Sequence, residues 1–470
     1  MDTMEPILDD AMPLPLPESI RPVPETIRAS IVSWWHHSPR HTAEAELHLY
    51  QNSGYFRGAK LSNAAHLNDD GVDGMVEAYK QATSTSTTPS SRPASVAPGN
   101  TYATVATTAA ADGKIGCIRM VDIGEDPAMR KGWFSRLYRR TRRYINMLEI
   151  GTPQRYEDRD KDEIPVVLVH GYGAGSAFFF RNVGAIASMP HTRLYALDWL
   201  GMGRSSRPSY VMPHSPKTRE RVEASETFFL TALEQWRTKM KIEKMVLIGH
   251  SLGGYLSLAY ALHYPERIAN LILLSPVGIP EGSLPEFLHE IRRVKEGEAP
   301  PSSVPARRPP LNPVLMKTAQ WLWDRNISPF GIVRMSTILG PWLMGGYTRR
   351  RFQSLEPDEI KALHTYCHGV FTDTASSEHC LADILAPGAF ARWPMVQRVA
   401  PLKMPIFMSY GSHDWMDVRG GRAAQTILQK AGNSHVHIDV IDKAGHHLYL
   451  DNTPAFNAWL IQAIRSGWSK

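Results

Sequence analysis

Apolar residues fall into short unbroken runs at Pro165–His170, Arg193–Asp198, Lys244–Gly249, Ala269–Leu274, Pro405–Tyr410 and His435–Ile441. Runs of this length, closed by glycine or polar residues, predict buried strands. Helical segments lie between most of them, Thr218 to Met240 being an example. Apolar strands alternating with helices predict an α/β chain with a mostly parallel central sheet and helices on both faces. Two earlier strands, from Lys114 onward and at Tyr144–Ile150, are expected at the sheet's edge. The alternation stops after Gly278 and resumes near Pro394. The interval is proline-rich at Pro300–Pro313 and then amphipathic, with Trp321, Trp323, Trp342, Met344 and Phe352. It is expected to form an inserted helical cap over the sheet's carboxyl edge, where ligands bind in such folds.

The same pattern divides the chain into a disordered N-terminus (1–26), a tryptophan-containing segment (27–80) and a low-complexity insertion (81–112). The core follows in two parts (113–278 and 395–470), with the cap (279–394) between them. Trp34 and Trp35 stand beside histidines and outside the strand pattern, which suits an interfacial anchor because indole prefers the headgroup boundary. The competing reading packs them on the main domain. Met129 to Tyr144 interleaves seven basic residues with four aromatics, a composition that suits an anionic phospholipid surface and equally a solvated basic face.

Composition narrows the classes. The chain has 470 residues, 43% hydrophobic and 21% charged, as ordinary soluble proteins do. Its net charge of +6 leaves lipid and nucleic acid open as anionic partners, but no nucleic-acid-binding signature accompanies it. Cys117, Cys367 and Cys380 make neither a disulfide framework nor a metal cluster, so free thiols in a reducing compartment are expected. No metal or cofactor is called for. No apolar run approaches the roughly 20 residues of a spanning helix, so any membrane association is expected to be peripheral. The acidic start, Met1-Asp-Thr-Met-Glu-Pro, is unlike a basic targeting segment and predicts an intracellular protein.

The chemistry centres on Gly249-His250-Ser251-Leu252-Gly253, a G-x-S-x-G turn between a strand and an apolar helix beginning near Tyr255. Such a turn holds a serine in a strained conformation with its hydroxyl exposed, and the flanking Gly249 and Gly253 leave room for the neighbouring chain. A serine needs a base, and the base an orienting acid. After the fifth run comes Asp414, with Asp417 as the alternative acid. After the sixth comes His446, preferred as base to His447 because it directly follows Gly445. His250 is expected to be structural, and His413 to lie at the surface or support the acid loop. His170-Gly171-Tyr172-Gly173 ends the first run, and the amides of Tyr172 and Leu252 are the candidate oxyanion donors. His446 and Asp451 also have the His-x-x-x-x-Asp spacing of a proposed acyltransferase signature, although Asp451 reads better as support for a terminal helix with Thr453 as its N-cap and Pro454 as its first residue.

These pieces, together with Ser33-Trp34-Trp35, Leu197 through Pro208, Ser328-Pro-Phe-Gly331, Trp393 through Arg398 and Tyr410 through Asp417, resemble one branch of the α/β-hydrolase fold. That branch contains fungal mitochondrial cardiolipin deacylases, N-acyl phosphatidylethanolamine lipases and a lipid-droplet lipase co-activator, and several members have been described as lysophosphatidic acid acyltransferases. The resemblance implies a serine hydrolase that removes acyl chains from membrane glycerophospholipids, with cardiolipin the best match through the Asp-Trp-Met-Asp loop. An acyl-CoA-dependent lysophospholipid acyltransferase and a non-catalytic lipase regulator are the rivals it implies. The co-activator has lost its nucleophile, whereas Ser251 is retained here. By the same resemblance the expected site of action is an anionic phospholipid surface, at the mitochondrial inner membrane, with lipid droplet or cytoplasm as alternatives.

Overall fold

In the computed structural model, the structure describes residues 16–62, 71–83, 102–125, 142–210, 215–282, 321, 323 and 325–468. Twelve strands occur among them: β1 (Lys60–Ser62), β2 (Ala103–Val105), β3 (Ile115–Glu125), β4 (Arg142–Gly151), β5 (Ile164–Val169), β6 (Thr192–Leu197), β7 (Met245–His250), β8 (Ile268–Leu274), β9 (Leu385–Ala386), β10 (Phe390–Ala391), β11 (Ile406–Gly411) and β12 (Val436–Ile441). Ten of these build one sheet in the order β1-β2-β3-β4-β6-β5-β7-β8-β11-β12, and β9 and β10 pair separately. From β6 to β12 every pairing is parallel, and from β1 to β6 through β4 every pairing is antiparallel.

The six apolar runs become the six parallel strands. β6, β7 and β11 are buried at every position, as strands covered on both faces must be. The chain passes from β5 out to β6 and returns to β7 on β5's other side. The loops that leave β5 and β7 therefore diverge at a switch point, which opens a crevice at the sheet's carboxyl edge. Helix Thr218–Lys239 makes the return crossover.

Two expectations need correcting. β3 and β4 are interior strands rather than edges, because β1 and β2 extend the sheet beyond them. β2 lies within the stretch read as low-complexity insertion, yet Ala103, Thr104 and Val105 are all buried. Three-residue strands carry too little alternation to register as a period. The remainder of that stretch from 84 to 101, the basic-aromatic residues 126–141 and the proline-rich 300–313 lie outside the described residues.

The tryptophan-containing segment is not one thing either. Helix Pro39–Gln51 belongs to the core: Glu46 is fully buried, accepts a hydrogen bond from Asn146 on β4 at 2.9 Å, and pairs with Arg204. It packs so tightly on the cap helix Pro357–Thr372 that a Cβ added at Gly369 would stand 1.9 Å from Thr42 Oγ1. Helix Ile27–His36, capped by Thr26, behaves oppositely and leaves Ile27, Ile31, Trp34 and Trp35 exposed, Trp35 to 74%. Its buried Ser30 joins the cap, donating to the Ile338 carbonyl at 2.6 Å and accepting from the Trp342 amide at 3.0 Å. Met335, Ile338, Leu339, Trp342 and Leu343 of the cap are likewise exposed. No helix among the described residues is long and apolar enough to cross a bilayer. Cys117, Cys367 and Cys380 are buried and unpaired with one another.

Candidate active site

β7 delivers Ser251 to the crevice in a backbone conformation that few non-glycine residues adopt, φ 55° and ψ −116°. The turn is sharp because its neighbours have no side chain. A Cβ on Gly249 would lie 2.4 Å from the Gly253 carbonyl oxygen, and one on Gly253 would lie 2.5 Å from that of His170. Helix Leu252–His263 starts immediately after the serine, three residues before the apolar pattern suggests. Leu252 thus presents a first-turn N–H that the helix itself cannot satisfy, at the end of the helix that favours negative charge.

Two loops bring the partners. His446 Nε2 lies 3.0 Å from Ser251 Oγ, and His446 Nδ1 lies 3.0 Å from Asp414 Oδ1. The same carboxylate oxygen accepts the Met416 amide at 2.9 Å. Burial by itself would raise the Asp414 pKa, but the His446 hydrogen bond and charge, with the Met416 amide, outweigh it and hold the carboxyl below its ordinary value. The acid and base loops are bonded to each other, the His413 amide donating to the Ala444 carbonyl at 2.8 Å. A Cβ on Gly411 between them would come within 2.3 Å of two carbonyl oxygens.

The alternatives sit elsewhere. Asp417 caps helix Val418–Lys430, accepting the Arg419 amide at 2.9 Å. His413 is exposed, and its ring meets Ser412 Oγ at 3.0 Å. His447 turns away from Ser251 to stack on Phe178, at 5.8 Å between ring centres, and it accepts from Arg351. Burial first, and then the Arg351 charge, push the His447 pKa far down, so its ring stays neutral. Asp451 accepts the Gly445 amide at 2.8 Å and pairs with Arg351 at 3.2 Å. It steadies the histidine loop rather than the last helix, whose cap is Asn452 and not Thr453.

The loop after β5 presses on the elbow, since a Cβ on Gly171 would reach within 2.9 Å of Ser251 Cβ. Behind it, Ser176 donates its amide to Asp198 at 2.6 Å, and Trp199 Nε1 donates to the His170 carbonyl at 2.9 Å. This fixes the path of Tyr172, whose ring stacks on Phe330 of the cap at 4.8 Å. The arrangement can take a proton from Ser251.

His250, expected to be structural, donates from Nε2 to the His446 carbonyl at 2.9 Å. Two contributors escaped the sequence reading: Trp415 lies 5.0 Å from the His446 ring, and Arg351 reaches the histidine loop from the cap. Trp415 follows the acid directly, which is the one signal it carried. Arg351 carried no signal. Residues 164–453 match the family described as alpha/beta hydrolase fold. The chain belongs to the α/β-hydrolase family. It is 32% identical over 353 residues to a 1-acylglycerol-3-phosphate O-acyltransferase of Arabidopsis thaliana, covering 73% of this chain and 75% of the relative. It is 33% identical over 304 residues to a (lyso)-N-acylphosphatidylethanolamine lipase of Mus musculus, covering 63% and 78%. A 1-acylglycerol-3-phosphate O-acyltransferase ABHD5 of Sus scrofa is 29% identical over 298 residues, covering 63% and 76%. The branch suggested by the sequence motifs is the one these relatives occupy.

This α/β-hydrolase has a further cavity of about 510 Å³ walled in part by Arg142, Arg204 and Arg207. None of Ser251, Asp414 and His446 lines it, so it is not where the serine would react. Among the described residues no group of three or more His, Cys, Asp or Glu is placed to hold a metal ion.

Proposed function

We propose that this α/β-hydrolase is a serine acyl hydrolase that works on glycerophospholipids at a membrane surface. The observation that carries the reading is the relay from Ser251 Oγ to His446 Nε2, and from His446 Nδ1 to Asp414, with 3.0 Å at each step. Ser251 Oγ attacks the ester carbonyl carbon as its proton passes to His446, and Asp414 faces the imidazolium that forms. The amides of Tyr172 and Leu252 receive the oxyanion, one such donor being worth about 3–4 kcal/mol of barrier. His446 then gives its proton to the departing glycerol oxygen, leaving an acyl-serine. Water yields a proton to the same histidine and adds to the acyl carbon; the bond to Ser251 Oγ then breaks, His446 returns the proton to that oxygen, and the fatty acid leaves.

The lipid surface is supported by the paired apolar fronts of helix Ile27–His36 and the cap, joined at Ser30. Exposed tryptophans at such a front suit the headgroup boundary. An anionic glycerophospholipid is the substrate class we favour, cardiolipin first, with the mitochondrial inner membrane as the corresponding address; both come from the motif resemblance. A second reading, acyl transfer to a lysophospholipid, is favoured by the names of the Arabidopsis and pig relatives. It uses the same acyl-serine, intercepted by an alcohol.

The test is fatty-acid release from cardiolipin-containing vesicles by wild type and Ser251→Ala, with and without acyl-CoA and lysophosphatidic acid. Serine-dependent release without acyl-CoA is expected. Product formed only when acyl-CoA is present would replace the hydrolase with the transferase. No serine-dependent chemistry on any lipid would leave a regulator.

A further inference from the structure

Arg351 ends the cap helix Gly340–Arg351, whose other turns carry the exposed Trp342 and Leu343. Its guanidinium leaves the cap and enters the turn that holds the catalytic histidine. Nε donates to His447 Nδ1 at 3.0 Å, with Nη2 against the same atom, and Nη1 reaches Asp451 Oδ1 at 3.2 Å. Asp451 uses its other oxygen to accept the amide of Gly445, the residue before His446, at 2.8 Å. The turn closes on itself through the Asp451 amide, which donates to the His447 carbonyl at 3.0 Å.

The chemistry of the two partners makes this bridge directional. A guanidinium keeps all its protons at any ordinary pH and has no acceptor, so His447 must face it with an unprotonated Nδ1 and carry its own proton on Nε2. Asp451 is thereby held between one cationic and one amide donor, and cannot swing toward Ser251 without breaking both. Its spacing from His446 places it as a brace for the loop. Phe352, the next residue, packs edge-on against His447 at 5.9 Å and against Phe178 at 5.9 Å, which fixes where the helix end can sit.

We propose that Arg351 is a positioning residue for His446: through Asp451 and His447 it makes the end of the cap helix part of the frame that keeps the imidazole 3.0 Å from the nucleophile. The inference rests on the reading of Ser251 and His446 as nucleophile and base. A misplacement of about 1 Å costs on the order of 100-fold in rate, and the bridge acts on that scale.

The test is the hydrolysis of a dissolved short-chain ester, 4-nitrophenyl butyrate, alongside labelling of Ser251 by a fluorophosphonate. Arg351→Met is expected to lower kcat about 10- to 100-fold with KM within about twofold, whereas Arg350→Met, one residue back on the exposed side, leaves both unchanged. Asp451→Asn should lose a similar factor, and the double variant should lose no more than either alone, because both act through one brace. Arg351→Lys keeps the charge but cannot span both partners; partial recovery of kcat is expected, and this variant decides the matter if Arg351→Met fails to fold. A kcat within twofold of wild type in a folded Arg351→Met or Arg351→Lys, or losses that multiply in the double variant, overturn the inference alone. A wild type inert toward both the ester and the fluorophosphonate overturns the serine hydrolase reading and this inference with it.

Discussion

His446 is held from four sides, by Ser251, Asp414, His250 and Trp415, at distances that leave its ring little freedom. Trp35, on helix Ile27–His36, is 74% exposed and leans on Trp34 with 6.2 Å between ring centres. The floor of the crevice is made of polar groups hydrogen-bonded to one another inside the protein. The front is made of apolar groups left exposed. Chains of short hydrogen bonds favour one geometry, which a proton relay requires. Exposed indoles and aliphatics need no fixed partner atom, which suits a fluid surface. Substitutions at the floor should therefore act on every ester, and substitutions at the front on aggregated lipid alone.

The largest expected effect is at the floor. Asp414→Asn should cut turnover by about 10,000-fold on dissolved and vesicular substrates alike, measured as initial rates with the thermal midpoint unchanged within a few degrees. Equal loss of Asp414→Asn and Asp417→Asn activity would contradict the separation of their roles. At the front, replacing Trp34, Trp35 and Met335 together by serine should lower vesicle hydrolysis about 10- to 100-fold, at roughly 0.5–0.9 kcal/mol for each side chain that a lipid surface partly withdraws from water. The rate on a dissolved ester should stay within about twofold. If both rates fall together, the front is part of the fold and the contrast fails.

Between the two regions lies a histidine-rich seam. Burial lowers the pKa of His37 and of His364 to about 4, and that of His368 to about 3. Like charge adds to this, from His41 at His37, from His37 and His364 at His368, and from Arg349 at His364, while Asp373 partly opposes it at His37. The folded state thus prefers these rings neutral, and the stability they allow is complete above pH 6.5, the value for an exposed histidine. It is lost as pH falls from 6.5 toward about 4, by at most roughly 3 kcal/mol per ring. Thermal melts across that window should show the midpoint dropping, and His37→Asn should flatten the drop. The smallest effect is at the discarded acid: Asp417→Ala removes a helix cap and should cost about 1 kcal/mol in chemical denaturation, with kcat unchanged.

How far the chain could be read in advance follows the same division. β5, β7, β8 and β11 are legible because a strand covered on both faces must be apolar throughout, and the elbow is legible because only glycine fits at 249 and 253. The acid and base follow from strand order. β1 and β2 were invisible, three residues each, since pairing with neighbours, not local pattern, makes them strands. The burial of Glu46 has no local signature, because its partners Asn146, Arg204 and Ser176 lie 100, 158 and 130 residues away. Arg351 was missed for the same reason, being 96 and 100 residues from the groups it meets. Local chemistry is written locally, whereas a bridge between distant segments appears only once both are in place.

The last strand has a consequence for the life of the chain before it is finished. His446 lies 195 residues after Ser251 and follows β12, which forms the far margin of the sheet beside β11. During synthesis the elbow, the strand order around it and the apolar front all emerge while the base is still untranslated. A nascent chain can therefore present its apolar front before the relay exists. The relay closes only when β12 docks and carries the histidine across to the serine, so that its completion is a late event of assembly.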